Sequence, residues 1–254
     1  MNLKDLKVVV FGVLIAMAAC SRSSQPMVNP TVVVHLGQPV RQVQENSTYR
    51  FPDSFTKPGS VFHVITQPHT FIYSDATLKL QFARNSRYES LGSHIHALSE
   101  GTPEPTVYAV TVQAFDDYVD LPTAVAYIRK FRQSLLTQGL AEIPHSTASR
   151  FKANFDSTRK ADTLDEIEDA FLDSQFFAQR AMALDMTKNN LRLTVTLING
   201  RRLWGDRKDL SDDFMKSAKT RAGSEATKFK RQDLLAERSY SVEISIGDNP
   251  NLRK

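Results

Sequence analysis

Four groups of side chains have the types and spacings that site chemistry uses. His94 and His96 stand two residues apart, the spacing at which one face of a strand offers two imidazoles to a shared metal. No HExxH motif accompanies them, and His35, His63, His69 and His145 are scattered along the chain. In their polar stretch the pair reads as two exposed loop histidines, and neither metal nor cofactor is expected. Asp116 and Asp117 end a strand-like run, a place where paired carboxylates in a cleft carry out glycoside hydrolysis. Asp-Asp-Tyr at a strand-to-helix turn reads first as turn and capping chemistry. Gly92-Ser93-His94 sets a hydroxyl beside an imidazole, yet the chain has neither a G-x-S-x-G elbow nor a Gly-rich phosphate loop. The fourth group, Arg201, Arg202 and Trp204 in "NGRRLWGD", carries residue types enriched where partners bind most tightly; Trp204 also suits the edge of the core. No catalytic residue is expected. The expected contact residues are Arg201, Arg202, Trp204, Asp116, Asp117 and Tyr118.

The one cysteine, Cys20, ends the apolar run Val8–Ala19, which follows Lys4 and Lys7. Twelve residues are too few to span a bilayer as a helix, which takes roughly 20. They suit the core of a signal peptide, with small Ala18 and Ala19 before the cut. Met17-Ala18-Ala19-Cys20 resembles the lipobox of bacterial lipoproteins, with Met17 where leucine is commoner. The resemblance implies a diacylglycerol on the Cys20 thiol, cleavage before it and acylation of the new amine. Ser21 in place of Asp after the cysteine implies sorting to the outer membrane, facing the periplasm. Each buried methylene contributes about 0.8 kcal/mol, so several acyl chains hold a protein on the membrane. With Cys20 modified, no thiol remains for a disulfide, and stability must come from an ordinary core.

Removing residues 1–19, which carry Lys4, Lys7 and Asp5, takes the net charge from +4 to +3. That is too mild to point to nucleic acid. With 41% apolar and 24% charged residues, the chain can form a packed core. An acid-rich stretch, 156–173, and a base-rich one, 216–231, read as solvated helix faces. The expected organisation is a signal peptide over 1–19, a lipid-anchored tether over 20–60 holding at most one strand ("TVVVH"), and one domain over 61–254.

That domain reads as α+β: an antiparallel sheet with two to four helices packed on one face. "VFHVI", "HTFIYS" and "TLKLQFA" are short strands, the last with Leu78, Leu80 and Phe82 on one side. Residues 84–105 read as a long loop with a possible helical turn over 91–98. "TVYAVTVQAF" is a strand, and "DLPTAVAYIRKFRQSLLTQG" a helix capped by Asp120, opened by Pro122 and closed by Gly139. A helix starts at Thr163. "FFAQRAMALDM" either continues that helix or is a strand with Ala178, Arg180, Met182, Leu184 and Met186 on one side; the strand is preferred, paired through "TKNN" with "LRLTVTLING". Helices from Ser211 and Ser224 and a final strand "SYSVEISI" complete the chain.

The succession "VYAVTVQAF", "DLPTAVAYIRKFRQSLLTQGL", "RAMALDMTKNNLRLTVTLING" resembles small periplasmic lipoproteins that protect bacteria from toxins delivered by contact-dependent secretion systems. The resemblance implies a non-catalytic inhibitor that plugs a toxin's active site and carries over no residues; on that reading the interface is expected among loops 84–105, 115–121 and 199–208. The alternatives are a structural component of an envelope or secretion assembly, and an envelope hydrolase using Asp116 or the histidine pair.

Overall fold

The computed structural model describes residues 29–57, 59–86, 88–99, 104–144, 163–172, 180–200 and 237–248. Cys20, Arg201, Arg202 and Trp204, and the helices expected from Ser211 and Ser224, lie outside them.

The chain is α+β, and its described residues form two sheets and three α-helices. In order come β1 (Thr31–Val34), α1 (Val40–Asn46), β2 (Ser60–Ile65), β3 (His69–Ser74), β4 (Lys79–Arg84), β5 (Ser93–Leu98) and β6 (Thr106–Gln113). Then follow α2 (Leu121–Thr137), β7 (Ala141–Glu142), α3 (Leu164–Leu172), β8 (Arg180–Lys188), β9 (Leu191–Asn199) and β10 (Tyr240–Asp248). Seven strands form an antiparallel sheet in the order β2-β5-β6-β10-β9-β8-β7. The remaining three form a sheet in the order β1-β3-β4, with β1 parallel to β3.

One face of the large sheet is apolar. Tyr240, Val242, Ile244 and Ile246 of β10 join Val110 and Val112 of β6 and Ile95 and Ala97 of β5 in a core shared with the small sheet and the helices. In α2, Ala124, Ile128, Phe131 and Leu135 are buried at helical spacing. Asp120 accepts the Thr123 N–H at 2.8 Å as the cap, and Gly139 turns the exit at φ +82°. At the start of α3, Thr163 and Glu166 hydrogen-bond each other's backbone N–H, a reciprocal pair that satisfies two orphan donors. Phe171 of α3 then meets the Tyr240 ring edge-on at 5.7 Å.

Three expectations change. Folded structure is already present from Thr31, not only from 61. Val32, Val34, Val40, Val43, Phe51 and Phe55 are buried in the core, so any tether is confined to the residues before β1. The prolines and polar residues of 37–60 hid these apolar anchors because they lie in short pieces: a seven-residue helix and a four-residue 3-10 turn over Asp53–Thr56.

Residues 84–105 are not one loop. They contain a short 3-10 turn (Glu89–Leu91) and β5, whose Ser93, Ile95 and Ala97 point inward while His94 and His96 point outward. Period-two alternation was present, but with imidazoles as its outward members it reads as a polar stretch.

The hairpin β8–β9 forms as expected, through a two-residue Asn189-Asn190 turn with Asn189 at φ +53°. A bulge between Met182 and Leu184 shifts the register. Ala181 faces the core with Leu184 and Met186, while Arg180 and Met182 fall on the other side. The extra residue reverses the alternation, so the expected one-sided set is split in two.

Candidate functional site

Segments distant in sequence meet at one end of the large sheet. The end of β4 supplies Arg84 and the turn after it Asn85 and Ser86; the turn before β5 supplies Ser90; the β6–α2 connection supplies Asp116, Asp117 and Tyr118. Gly200 follows β9, and Arg238 precedes β10.

Arg84 holds the first and third of these together. Its side chain is 3% exposed, and its guanidinium gives hydrogen bonds to the carbonyls of Phe115 at 2.6 Å and Leu91 at 3.0 Å, and an ion pair to Asp116 at 3.2 Å. Burial lowers the guanidinium pKa, and the Asp116 carboxylate works in the opposite direction. Asp116 also accepts the Asn85 N–H at 2.8 Å, and its side chain stays 42% exposed. Asp117 accepts the Tyr118 N–H as a turn cap.

Tyr118 is buried, with its hydroxyl 3.3 Å from that of Ser90 and its carbonyl accepting from Arg238. Gly200 has no side chain because none fits: a Cβ there would stand 2.9 Å from Tyr118 Cζ. Of the expected contact loops, only the part of 84–105 that precedes β5 meets 115–121, with Gly200 beside them; Arg201, Arg202 and Trp204 lie outside the described residues. Of the expected contact residues, Tyr118 is a packing residue, and Asp116 and Asp117 are partly engaged in holding the turn.

Ser93 does not pair with its neighbour His94. It is fully buried, and its hydroxyl lies 2.9 Å from His69 Nε2. His69 Nδ1 donates to the Gln67 carbonyl at 2.7 Å, so Nε2 carries the lone pair and accepts from Ser93. A hydroxyl, an imidazole and an orienting carbonyl in line have the form of a nucleophile and its base. Here the pair is sealed between the sheets, with His69 1% exposed, and leaves a substrate no approach. Burial keeps His69 below the usual histidine pKa, against the Gln67 bond. This contact spans 24 residues, and nothing in the local sequence of either partner announces it.

His94 and His96 lie side by side on the outward face of the large sheet, ring centroids 6.4 Å apart. The His96 ring sits between Phe62 at 4.9 Å and Tyr108 at 6.0 Å, and burial lowers its pKa. Among the described residues, no three His, Cys, Asp or Glu side chains gather closely enough to hold a metal ion. Phe62 and Tyr108, 59% and 42% exposed, are the exposed large apolar residues of the described chain, and they line up across β2, β5 and β6. Sequence reading did not single them out, because alternation alone does not say which strand lies at the edge of the sheet.

Among the described residues, no helix is long and apolar enough to cross a membrane. Comparison of the chain with protein-family models, curated proteins and solved structures finds no match.

Proposed function

We propose that the protein is a lipid-anchored binding module of the bacterial cell envelope, most specifically an immunity-type inhibitor of a secreted toxin. The anchor is Cys20, and the contact surface is the loop end of the large sheet around Asp116 and Asp117, continued by Arg201, Arg202 and Trp204. The observation that carries the binding reading is the convergence of 84–91, 115–121 and Gly200 on a rigid base. Arg84 and Tyr118 fix the backbone there while the Asp116 carboxylate remains half in solvent. Binding loops held on a scaffold that does not move lose little entropy when a partner docks. The N-terminal sequence, basic start, short apolar run and Ala-Ala-Cys, supports the anchor.

Two measurements test this. Mass spectrometry of the mature N-terminus from the membrane fraction reads the anchor: three acyl chains on Cys20 are expected, and an unmodified or internal N-terminus refutes it. The chain from Ser24 onward, used as bait against secreted proteins of its source, reads the partner. One enzyme captured in stoichiometric amount and inhibited on mixing supports the inhibitor reading. Capture of several envelope proteins moves the function to the alternative, an accessory component of an envelope assembly.

A further inference from the structure

β2 is an edge strand. One side pairs with β5, and the other pairs with no strand among the described residues. Edge strands of soluble proteins ordinarily carry a device against pairing, such as a lysine, a proline, a bulge or an inward charge. Over Ser60–Thr66, "SVFHVIT", there is no Lys, Arg, Asp, Glu or Pro, and the pairing with β5 runs without a bulge. Phe62, 59% exposed, lies on the outward face with Val64, whereas Val61, His63 and Ile65 face the core. His63 rests against Tyr49, Phe51 and Phe55, and burial holds its pKa below the usual value.

The segment also reads alike in both directions about His63: Ser60 matches Thr66, Val61 matches Ile65, and Phe62 matches Val64. Antiparallel pairing of the strand with itself about that centre keeps the faces in register, because each matched pair is separated by an even number of residues. It sets Phe62 of one copy against Val64 of the other on the outward face, twice, and puts no charged side chain opposite another. A twofold contact needs a surface complementary to itself, and this edge has that property.

We propose that β2 pairs with β2 of a second copy, antiparallel and centred on His63, so that two large sheets become one continuous sheet of the dimer. The occupant of the edge is this chain itself. A seven-residue edge is about 23 Å long, a strip well short of the roughly 1,200 Å² of total surface that stable interfaces bury. The dimer is therefore weak and concentration-dependent, and confinement of both copies to a membrane by their anchors raises its population. This contact is separate from the loop end described above and does not rest on its partner.

The test uses the chain from Ser24 onward, which keeps every described element. Sedimentation equilibrium up to about 1 mM, the weak end of measurable affinity, is expected to show a monomer–dimer equilibrium. Phe62→Glu is expected to weaken it at least about tenfold, because the twofold loses the same central apolar contact at both of its places. The double variant Phe62→Glu/Val64→Lys sets Glu against Lys twice across the twofold and is expected to regain most of that loss. Both positions are on the outward face, and far-ultraviolet circular dichroism checks that each variant is folded. A chain monomeric throughout, or a dimer indifferent to Phe62→Glu, overturns the proposal; loss without recovery in the double variant overturns the register about His63. Amide hydrogen exchange over 60–66 is expected to slow as concentration rises. Amides already slow in dilute monomer show that the chain covers its own edge, against the proposal. Slowing by a foreign apolar peptide, in a chain that stays monomeric, assigns the edge to another protein and likewise refutes it.

Discussion

Asp116→Ala separates two roles for the same carboxylate. A group kept for a partner or a substrate can be removed with little effect on folding; a group that balances a buried cation cannot. Taking one member from a fully buried ion pair costs about 3–5 kcal/mol, because the other charge is left without compensation. Arg84 keeps two carbonyl acceptors after the substitution, at 2.6 and 3.0 Å. Water also reaches the vacated position, since Asp116 is 42% exposed. Both effects reduce the cost, to about 1.5–3 kcal/mol, including the loss of the Asn85 N–H bond. Arg84→Met removes the donors of two buried carbonyls and is expected to cost more, about 3–5 kcal/mol. Because the partners interact, the double variant should be more stable than the two single losses together imply, by about 1 kcal/mol or more. Urea unfolding followed by circular dichroism gives these values. With a slope of about 2–3 kcal/mol per molar, Asp116→Ala should lower the midpoint by roughly 0.5–1.5 M. A loss below about 0.5 kcal/mol, the range of ordinary surface changes, would show that Arg84 does not depend on Asp116, and the account of the loop end given above fails.

Other expectations follow from single contacts. Gly200→Ala forces Tyr118 to move and should cost about 1–3 kcal/mol, as overpacking does; Tyr118→Leu in the same chain should recover part of it, and melting temperatures compare the two. His63, His69 and His96 all have pKa values lowered by burial. Both folded and unfolded states are neutral above the ordinary histidine value, about 6.5. Below it the unfolded chain takes up protons first, so stability falls as pH drops from about 6.5 toward 5. The slope approaches about 1.4 kcal/mol per pH unit for sealed His69 and is smaller for the half-buried pair. A flat urea midpoint across that window contradicts the assignment, and His69→Gln should reduce the slope. Thr163→Ala removes one side of the reciprocal cap on α3 and should cost about 1 kcal/mol, read from the same unfolding curves.

The sequence shows its regular elements where the apolar period is long and uninterrupted. The helix from Asp120 to Gly139 has its cap, its buried stripe and its stop in the residues themselves, and β9 alternates from Leu191 to Leu197. Short anchors are another matter. The short pieces that carry Val40 and Val43, Phe51, and Phe55 contribute one or two core side chains each between prolines and polar residues, too few for any period to emerge. The bulge at Met182–Leu184 leaves no trace in composition, since either face of β8 then carries some apolar residues. Site geometry was legible only in part. Asp116-Asp117-Tyr118 was recognised as a turn of interest, but its dependence on Arg84, 32 positions earlier, exists only in the folded chain. The Ser93–His69 pair and the Phe62–His96–Tyr108 row depend on strand order, which local patterns do not encode.

The first strand also determines how the molecule meets mechanical load. Among the described residues, a pull from the N-terminal side first meets Pro30, whose carbonyl accepts the Thr70 N–H at 2.8 Å, and then Thr31, whose carbonyl accepts the N–H groups of both Thr48 and Tyr49 and whose own N–H reaches Thr48 Oγ1 at 2.7 Å. Beyond this clamp lies a four-residue ladder parallel to β3. Force along the axis of β1 loads all its rungs together, in shear, instead of opening them one after another. Behind β1, the Val40 N–H holds the carbonyl of Pro105 at 3.0 Å, and Gly37 N–H that of Val107 at 2.8 Å, which passes the load from the small sheet into β6, an interior strand of the large one. Resistance to such a pull is set by an unfolding rate and not by the equilibrium stability, so substitutions at Thr48 should shorten lifetime under force more than they shift a urea midpoint.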